Sequence, residues 1–286
     1  MHVKAIACEA PSATGIPLSR WSIAELGRYV RERVGIEARM SDVTIWRWLN
    51  EDAIKPWQHR TWIFPRDPDF VVKASRILDL YHRTWKGRRL RDDEFVLSAD
   101  EKTSIQARQP RHPSLPTAPG IPARVEHEYK RLGAWVYIAA MDVHRAKFFG
   151  RCDRKNGIVS FDKLVAQIMR QEPYRSARRV FLIVDNGTAH RGIRAAERLR
   201  APHPNLVLVH GPVHASWLNQ VEIYFSIVQR KALTPSDFSS MEDLENRLLN
   251  FQDHYEAIAR PFEWRFTKRD LHRLVERLER RGLVAA

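Results

Sequence analysis

The chain has 286 residues, 44% of them hydrophobic, enough for one main domain with a sizeable core and a smaller second one. Lys and Arg number 48 against 34 Asp and Glu, and the resulting +14 suits a polyanionic partner, because basic side chains seated on phosphates release counterions. No apolar run approaches the ~18 residues of a membrane span, no signal-peptide core opens the chain, and Cys8 and Cys152 are too few for a disulfide framework or a zinc site. Membrane and disulfide-stapled classes are thereby set aside, and a cytoplasmic setting is expected.

Residues 1–17 read as an N-terminal arm. Residues 18–55 read as a helix-turn-helix module: Ser22 and Glu25 have the capping-box spacing, Ile23, Leu26, Val30 and Val34 repeat at helical intervals, and Gly35 ends the segment. Ser41 or Asp42 can cap a second helix, Val43 to Asn50, which would enter a major groove if the pair binds DNA; a helical hairpin with no DNA role is the alternative. On it Trp46, Trp48 and Leu49 read as core, and Thr44 and Arg47 as the side chains turned toward DNA. Residues 56–90 read as a linker stiffened by Pro56, Pro65 and Pro68, followed by an amphipathic helix carrying Val71, Ala74, Ile77, Leu78 and Tyr81.

Residues 91–286 form the expected main domain, of α/β class. Glu94 to Asp100 is strand-like, and Glu101 to Gly133, rich in Pro, Arg and His, reads as a long structureless excursion. Arg108 and Arg111 there, with Lys55 of the linker, are candidate phosphate contacts. Ala134 to Asp142 and Ala146 to Arg151 read as a β-hairpin, and a helix with Phe161, Leu164, Val165 and Ile168 leads to the apolar strand Val180 to Val184. A further strand, Leu206 to His210, precedes a helix taken to start at Ser216, and Arg-rich helices at Met241 to Ile258 and Thr267 to Leu283 close the chain. The order predicts three antiparallel strands extended by helical crossovers, with Asp100 and Asp185 at neighbouring strand ends.

Three carboxylates, Asp100, Asp185 and Glu222, are the candidate metal ligands. Mg²⁺ takes few carboxylates and completes its shell with water and phosphate oxygens, and two such ions about 3.5–4 Å apart serve both ends of an in-line displacement. A lone Asp at a strand end is more often a turn cap than a ligand. Glu222, however, sits among Val221, Ile223, Tyr224 and Phe225, where an unpaired charge is costly. Glu101 competes with Asp100, but strand alternation points the two to opposite faces, so Glu101 is expected to point away. Asp142 is expected to make a turn, and His190 and His214 are candidates to line the site.

These residues carry a resemblance. Ser98-Ala99-Asp100-Glu101-Lys102, Val184-Asp185-Asn186-Gly187-Thr188-Ala189-His190 and His214 to Glu222 resemble the three catalytic blocks of bacterial insertion-sequence transposases of the mariner-like DDE superfamily. The likeness extends from Ser19 onward, including Trp46-Arg47-Trp48-Leu49 and Pro261 to Phe266. It implies a ribonuclease H-like domain, with a mixed sheet flanked by helices behind the helix-turn-helix module. It also implies cut-and-paste transposition with two Mg²⁺ (or Mn²⁺) ions held by Asp100, Asp185 and Glu222. Double-stranded DNA, as terminal inverted repeats and target, is the implied partner, bound by a homodimer at the bacterial nucleoid. The 101–133 excursion corresponds to the inserted loop that holds partner and DNA in such assemblies. Members usually carry a further helix-turn-helix module ahead of this one; with only the arm to Pro17 there, intact nuclease chemistry with weak end recognition is expected. A DNA-binding protein without catalysis, or another ribonuclease H-like nuclease, is the alternative.

Overall fold

Ser22 opens the first long helix as its sequence requires. Its hydroxyl accepts from the Glu25 amide at 3.2 Å, and the Glu25 carboxylate accepts from the Ser22 amide at 3.3 Å. In the computed structural model, which describes residues 2–33, 40–59, 65–187, 190 and 192–280, this helix is α2, Ile23–Arg33. Val34 and Gly35, where its end was expected, lie outside the described residues. Helix α3, Asp42–Glu51, is capped by Ser41, whose side chain accepts from the Thr44 amide.

The residues ahead of Pro17 are not a plain arm. Helix α1, His2–Ala7, and a 3-10 turn, Pro11–Thr14, precede α2, and Val3 and Ala7 are buried with Trp21, Leu26, Val30, Ile45 and Leu49. That small core belongs to the first of two compact units, Met1–Ile63; the second is Phe64–Ala286. Trp46 and Trp48, expected inside, are 48% and 37% exposed. Ile45 and Leu49, four apart, take the narrow buried stripe of a helix of 10 residues, and the tryptophans fall to either side of it.

The second unit begins with α4, Phe70–Tyr81, and a two-stranded hairpin, β1 Thr84–Trp85 and β2 Arg88–Arg89. Its main sheet has five strands in the order β5-β4-β3-β6-β7: β3 Glu94–Pro110, β4 Tyr129–Asp142, β5 Phe148–Asp153, β6 Arg179–Val184 and β7 Leu206–His210. The pairs β3–β4 and β4–β5 are antiparallel, and β3–β6 and β6–β7 are parallel. Helices α5, Ile158–Met169, and α6, Gly192–Arg200, make the crossovers into the parallel half.

Period-two alternation divides the apolar residues between two faces. Leu97, Ala99, Ile138, Leu182 and Val184 face Phe161, Leu164 and Ile168 of α5. On the other face Val96, Phe181 and Ile183 pack with Ala74, Ile77 and Leu78 of α4 and with Leu271 of α9, Lys268–Glu279. Tyr137, Ala139 and Met141 pack there with α7, Val221–Lys231, and α8, Met241–Glu256. The end of α9 expected at Leu283 lies outside the described residues. Asp142 makes the turn expected of it, its carboxylate accepting from the His144 and Arg145 amides and from the Tyr174 hydroxyl.

The 101–133 excursion is not structureless. β3 and β4 run out from the sheet as a paired arm to Pro110 opposite Tyr129, with bridges at Leu115–Arg124 and Ala118–Ile121 beyond. One side of the arm's base, with Ile105 and Ala107, is buried against α7 and α8, but register shifts after Lys102 and Ala107 and exposed residues farther out break the apolar alternation by which a half-buried strand is recognised.

Phe181 is fully buried at the centre of the parallel half, with its ring centroid 4.7 Å from that of Trp85. Phe181→Ala is expected to cost about 3–5 kcal/mol in urea denaturation; a loss under about 1 kcal/mol would show that the sheet is not packed in this way.

Candidate active site

Parallel pairing of β3 with β6 sets Ser98 against Ile183. Two residues further, Asp100 on β3 comes level with Asp185, the first residue after β6. Asp100 is not at the end of its strand, as expected, but at the step where its neighbour stops. It shares a face with Val96 and Ser98 and is 8% exposed, whereas the Asp185 side chain is 41% exposed. Glu222 approaches on α7.

The helix carrying Glu222 does not start at Ser216. Ser216–Leu218 is a short 3-10 turn, Asn219 is extended at φ −88° and ψ 109°, and α7 begins at Val221. Glu222 therefore lies in the first turn rather than two turns in. Asn219 causes the break. Its amide nitrogen donates to the Ala99 carbonyl at 2.9 Å and to Asp100 Oδ2 at 3.3 Å, while its oxygen accepts from Ser98 Oγ. Held this way, it cannot continue a helix.

The carboxylates act on one another. Burial first, then the charge of Asp185, pushes the Asp100 carboxyl up to about 7, with Glu101 and Glu222 adding to the rise. Burial also raises Glu222; Lys102 opposes the rise and Asp185 adds to it. Asp185 moves the other way, chiefly because it accepts from His190 Nε2 at 2.5 Å, helped by the Gly187 amide at 2.7 Å.

His190 and Glu101 are the residues that sequence reasoning undervalued. His190 is fully buried against the Phe161 ring, and its carbonyl accepts from His210 Nε2 at 2.6 Å. Glu101 does lie on the face opposite Asp100, as alternation requires, but it does not point away from the site. Its Oε1 is 3.9 Å from His190 Nδ1, and neither atom has another partner. Among the described residues, the group of acidic and histidine ligand atoms lying within 4.8 Å of one another is Glu101, Asp185 and His190, not Asp100, Asp185 and Glu222. Both faces of β3 open onto the space beyond β6, so a rule that sorts residues by face does not sort them by site. The available signal was the spacing of His190, five residues past Asp185, which lets a turn fold it back. His214 is exposed, with a left-handed backbone.

The donor set suits a hard divalent cation. Carboxylate oxygens predominate, their mutual repulsion is only partly offset by Lys102 and His190, and Glu101 Oε1 is buried without a partner.

In the first unit Arg47 and Lys55 are exposed, and the Thr44 hydroxyl is already engaged 3.0 Å from Ser41 Oγ. On the arm of the second unit, the Arg108 guanidinium lies 4.8 Å from the Tyr129 ring centroid, and Arg111 pairs with Glu128 at 3.3 Å. No helix among the described residues is long and apolar enough to cross a membrane.

Residues 96–245, just over half of the chain, match the sequence profile of a family described as DDE superfamily endonuclease. No curated protein sequence matches the chain significantly. Among solved structures the chain is similar to the Mos1 mariner paired end complex with Mn (19% identity, TM-score 0.50), the Mos1 transposase paired-end complex with left transposon end (18%, 0.51) and the mariner Mos1 paired end complex with Mg (18%, 0.50). Each alignment covers 92% of this chain and 78% of the other. The likeness carries the fold, a ribonuclease H-like mixed sheet flanked by helices, in agreement with the strand order.

An unfolded Asp ionises near 3.9. Between that pH and about 7, folded Asp100 keeps a proton that the unfolded chain has lost, so its burial costs stability as pH rises. Asp100→Asn is therefore expected to be more stable than the unsubstituted chain at pH 8 without divalent ions, and the difference should vanish toward pH 4. Thermal melts across this range check it; a variant less stable at every pH would contradict the crowding.

Proposed function

The chain belongs to the DDE superfamily of endonucleases, and from that premise we propose that it is a DNA transposase that cuts at the inverted-repeat ends of its element and joins them to target DNA. Membership makes it a DNA-cleaving polynucleotidyl transferase with a ribonuclease H-like core. The observation that carries the finer reading is the meeting of Asp100, Asp185 and Glu222 past the end of β6, close enough for the charges of the other two to raise Asp100.

Asp100, Asp185 and Glu222 are the side chains that would hold two Mg²⁺ or Mn²⁺ ions, and the similar Mos1 structures include complexes with each metal. Bound there, the ions supply charge neutralisation at the phosphodiester and stabilise the attacking and departing oxygens. No side chain need act as a covalent nucleophile. Water breaks the phosphodiester at the element's end and leaves a 3′-hydroxyl. That hydroxyl then attacks a target phosphorus, forming a new P–O bond as the target's own 3′-oxygen departs. His190 keeps one Asp185 oxygen oriented, and the Asn219 amide does the same for Asp100.

The +14 charge supports a DNA partner. Arg108 and Arg111 on the β3–β4 arm, and Thr44, Arg47 and Lys55 in the first unit, are the proposed contacts. Two copies on paired ends, acting at the bacterial nucleoid, complete the reading; the similar Mos1 structures are paired-end assemblies. The proposed layout is a helix-turn-helix module at 18–55, a linker and connecting helix at 56–90, and a catalytic domain from 91 onward.

A supercoiled plasmid carrying the element's ends tests this. The chain is expected to excise the element with Mg²⁺ or Mn²⁺ and not with EDTA. Asp185→Asn should abolish cleavage while still retarding DNA in a gel; cleavage by this variant would remove Asp185 from the site. End binding without cleavage by the unsubstituted chain would leave a DNA-binding protein only.

A further inference from the structure

Strand β3 and helix α7 are joined by a small buried polar network beside the carboxylates. Ser98 is fully buried and Asn219 is 4% exposed. The Ser98 hydroxyl donates to Asn219 Oδ1 and accepts from the Val221 amide at 2.9 Å. Asn219 Nδ2 donates to the Ala99 carbonyl and to Asp100 Oδ2. Every polar atom of the two side chains is thus engaged within one strand and one helix.

Two consequences follow from simple geometry. The Val221 amide is one of the orphan donors at the start of α7, and β3 rather than a local residue satisfies it. Ser98 is two residues from Asp100 on the same face, about 7 Å along the strand, and Val221 immediately precedes Glu222. The hydroxyl that caps the helix therefore ties the position of Glu222 to that of Asp100. The Asn219 amide nitrogen also donates to Asp100 Oδ2 while the Glu101 amide donates to Oδ1 at 2.8 Å, so the carboxylate is oriented through both of its oxygens. From α4, the Tyr81 hydroxyl donates to the Leu218 carbonyl at 2.6 Å and accepts from the Gln220 amide at 3.3 Å, so the turn is also gripped on both sides of Asn219. A buried, fully satisfied network of this kind specifies one arrangement.

We propose that Ser98 and Asn219 are positioning residues which hold Asp100 and Glu222 in register before a divalent ion binds, so that the ion does not have to order them. The proposal rests on the metal-dependent cleavage reading above. It separates these two residues from those that only support the fold: removing them should weaken metal binding and leave DNA binding alone.

The test compares the full chain with Asn219→Ala, Ser98→Ala and the double variant. Two quantities are read: the Mn²⁺ concentration that half-saturates cleavage of end DNA, and the Mn²⁺ concentration needed to raise the melting temperature without DNA. Partners that orient a metal-holding side chain typically matter by about 10- to 100-fold. Asn219→Ala should raise both midpoints within that range, Ser98→Ala should raise them by about 10-fold, and the KM for DNA should stay put. The double variant should be no worse than Asn219→Ala, because the two act as one unit. Ser98→Ala removes a single hydroxyl, and it decides the matter if Asn219→Ala does not fold. Folded variants with unshifted Mn²⁺ midpoints, or with the loss in DNA affinity instead, overturn the positioning role. An unsubstituted chain that neither binds Mn²⁺ nor cleaves overturns the underlying reading, and the positioning role with it.

Discussion

Like charges have to be brought together in a place where water is scarce, and this one requirement organises the second unit. β6 stops at Val184 while β3 runs on, so the sheet has a step at which Asp100 and Asp185 stand side by side. Glu222 is delivered to the same step by α7, and Glu101 reaches it from the opposite face. Apolar packing holds the arrangement against its own repulsion: α4 and α9 lie below one half of the sheet, and α7 and α8 below the other. His190 against Asp185, Lys102 beside Glu222 and the Asn219 amide on Asp100 offset part of the cost.

The same pressure explains why so much polar structure is buried there. Ser98, Asp100, His190, Asn219 and Gln220 are all buried, close to one strand end. Buried polar groups are retained where they specify a geometry that apolar packing cannot. In the first unit, by contrast, Val3, Trp21, Leu26, Ile45 and Leu49 make an ordinary small apolar core, and two exposed aromatic side chains, Trp46 and Trp48, lie on one helix.

Much of this was legible in the sequence because it follows from periodicity. The apolar run Val180 to Val184, the two strands around Val143-His144-Arg145 and the Ser22–Glu25 capping box each announce their structure locally. The three carboxylate blocks were legible as a resemblance, while their convergence is a property of sheet register. What stayed hidden depends on partners distant in sequence. The start of α7 is set by Asn219 reaching a strand some 120 residues earlier, which no capping rule at Ser216 can foresee. Glu101 was assigned to the correct face and the wrong place, because a step in the sheet lets both faces meet. The β3–β4 arm is hidden because register shifts interrupt its alternation and only Ile105 and Ala107 of β3's outer part are buried, and the small core around Trp21 reaches back into residues that look featureless until α2 and α3 are packed against them.

On the proposed function, Asp100, Asp185 and Glu222 converge to hold divalent ions. Anomalous X-ray diffraction from crystals of the chain bound to cleaved end DNA and soaked in Mn²⁺ tests it most directly. Manganese peaks are expected between Asp100 and Asp185 and between one of these and Glu222. Manganese held elsewhere, or by none of the three, would contradict it.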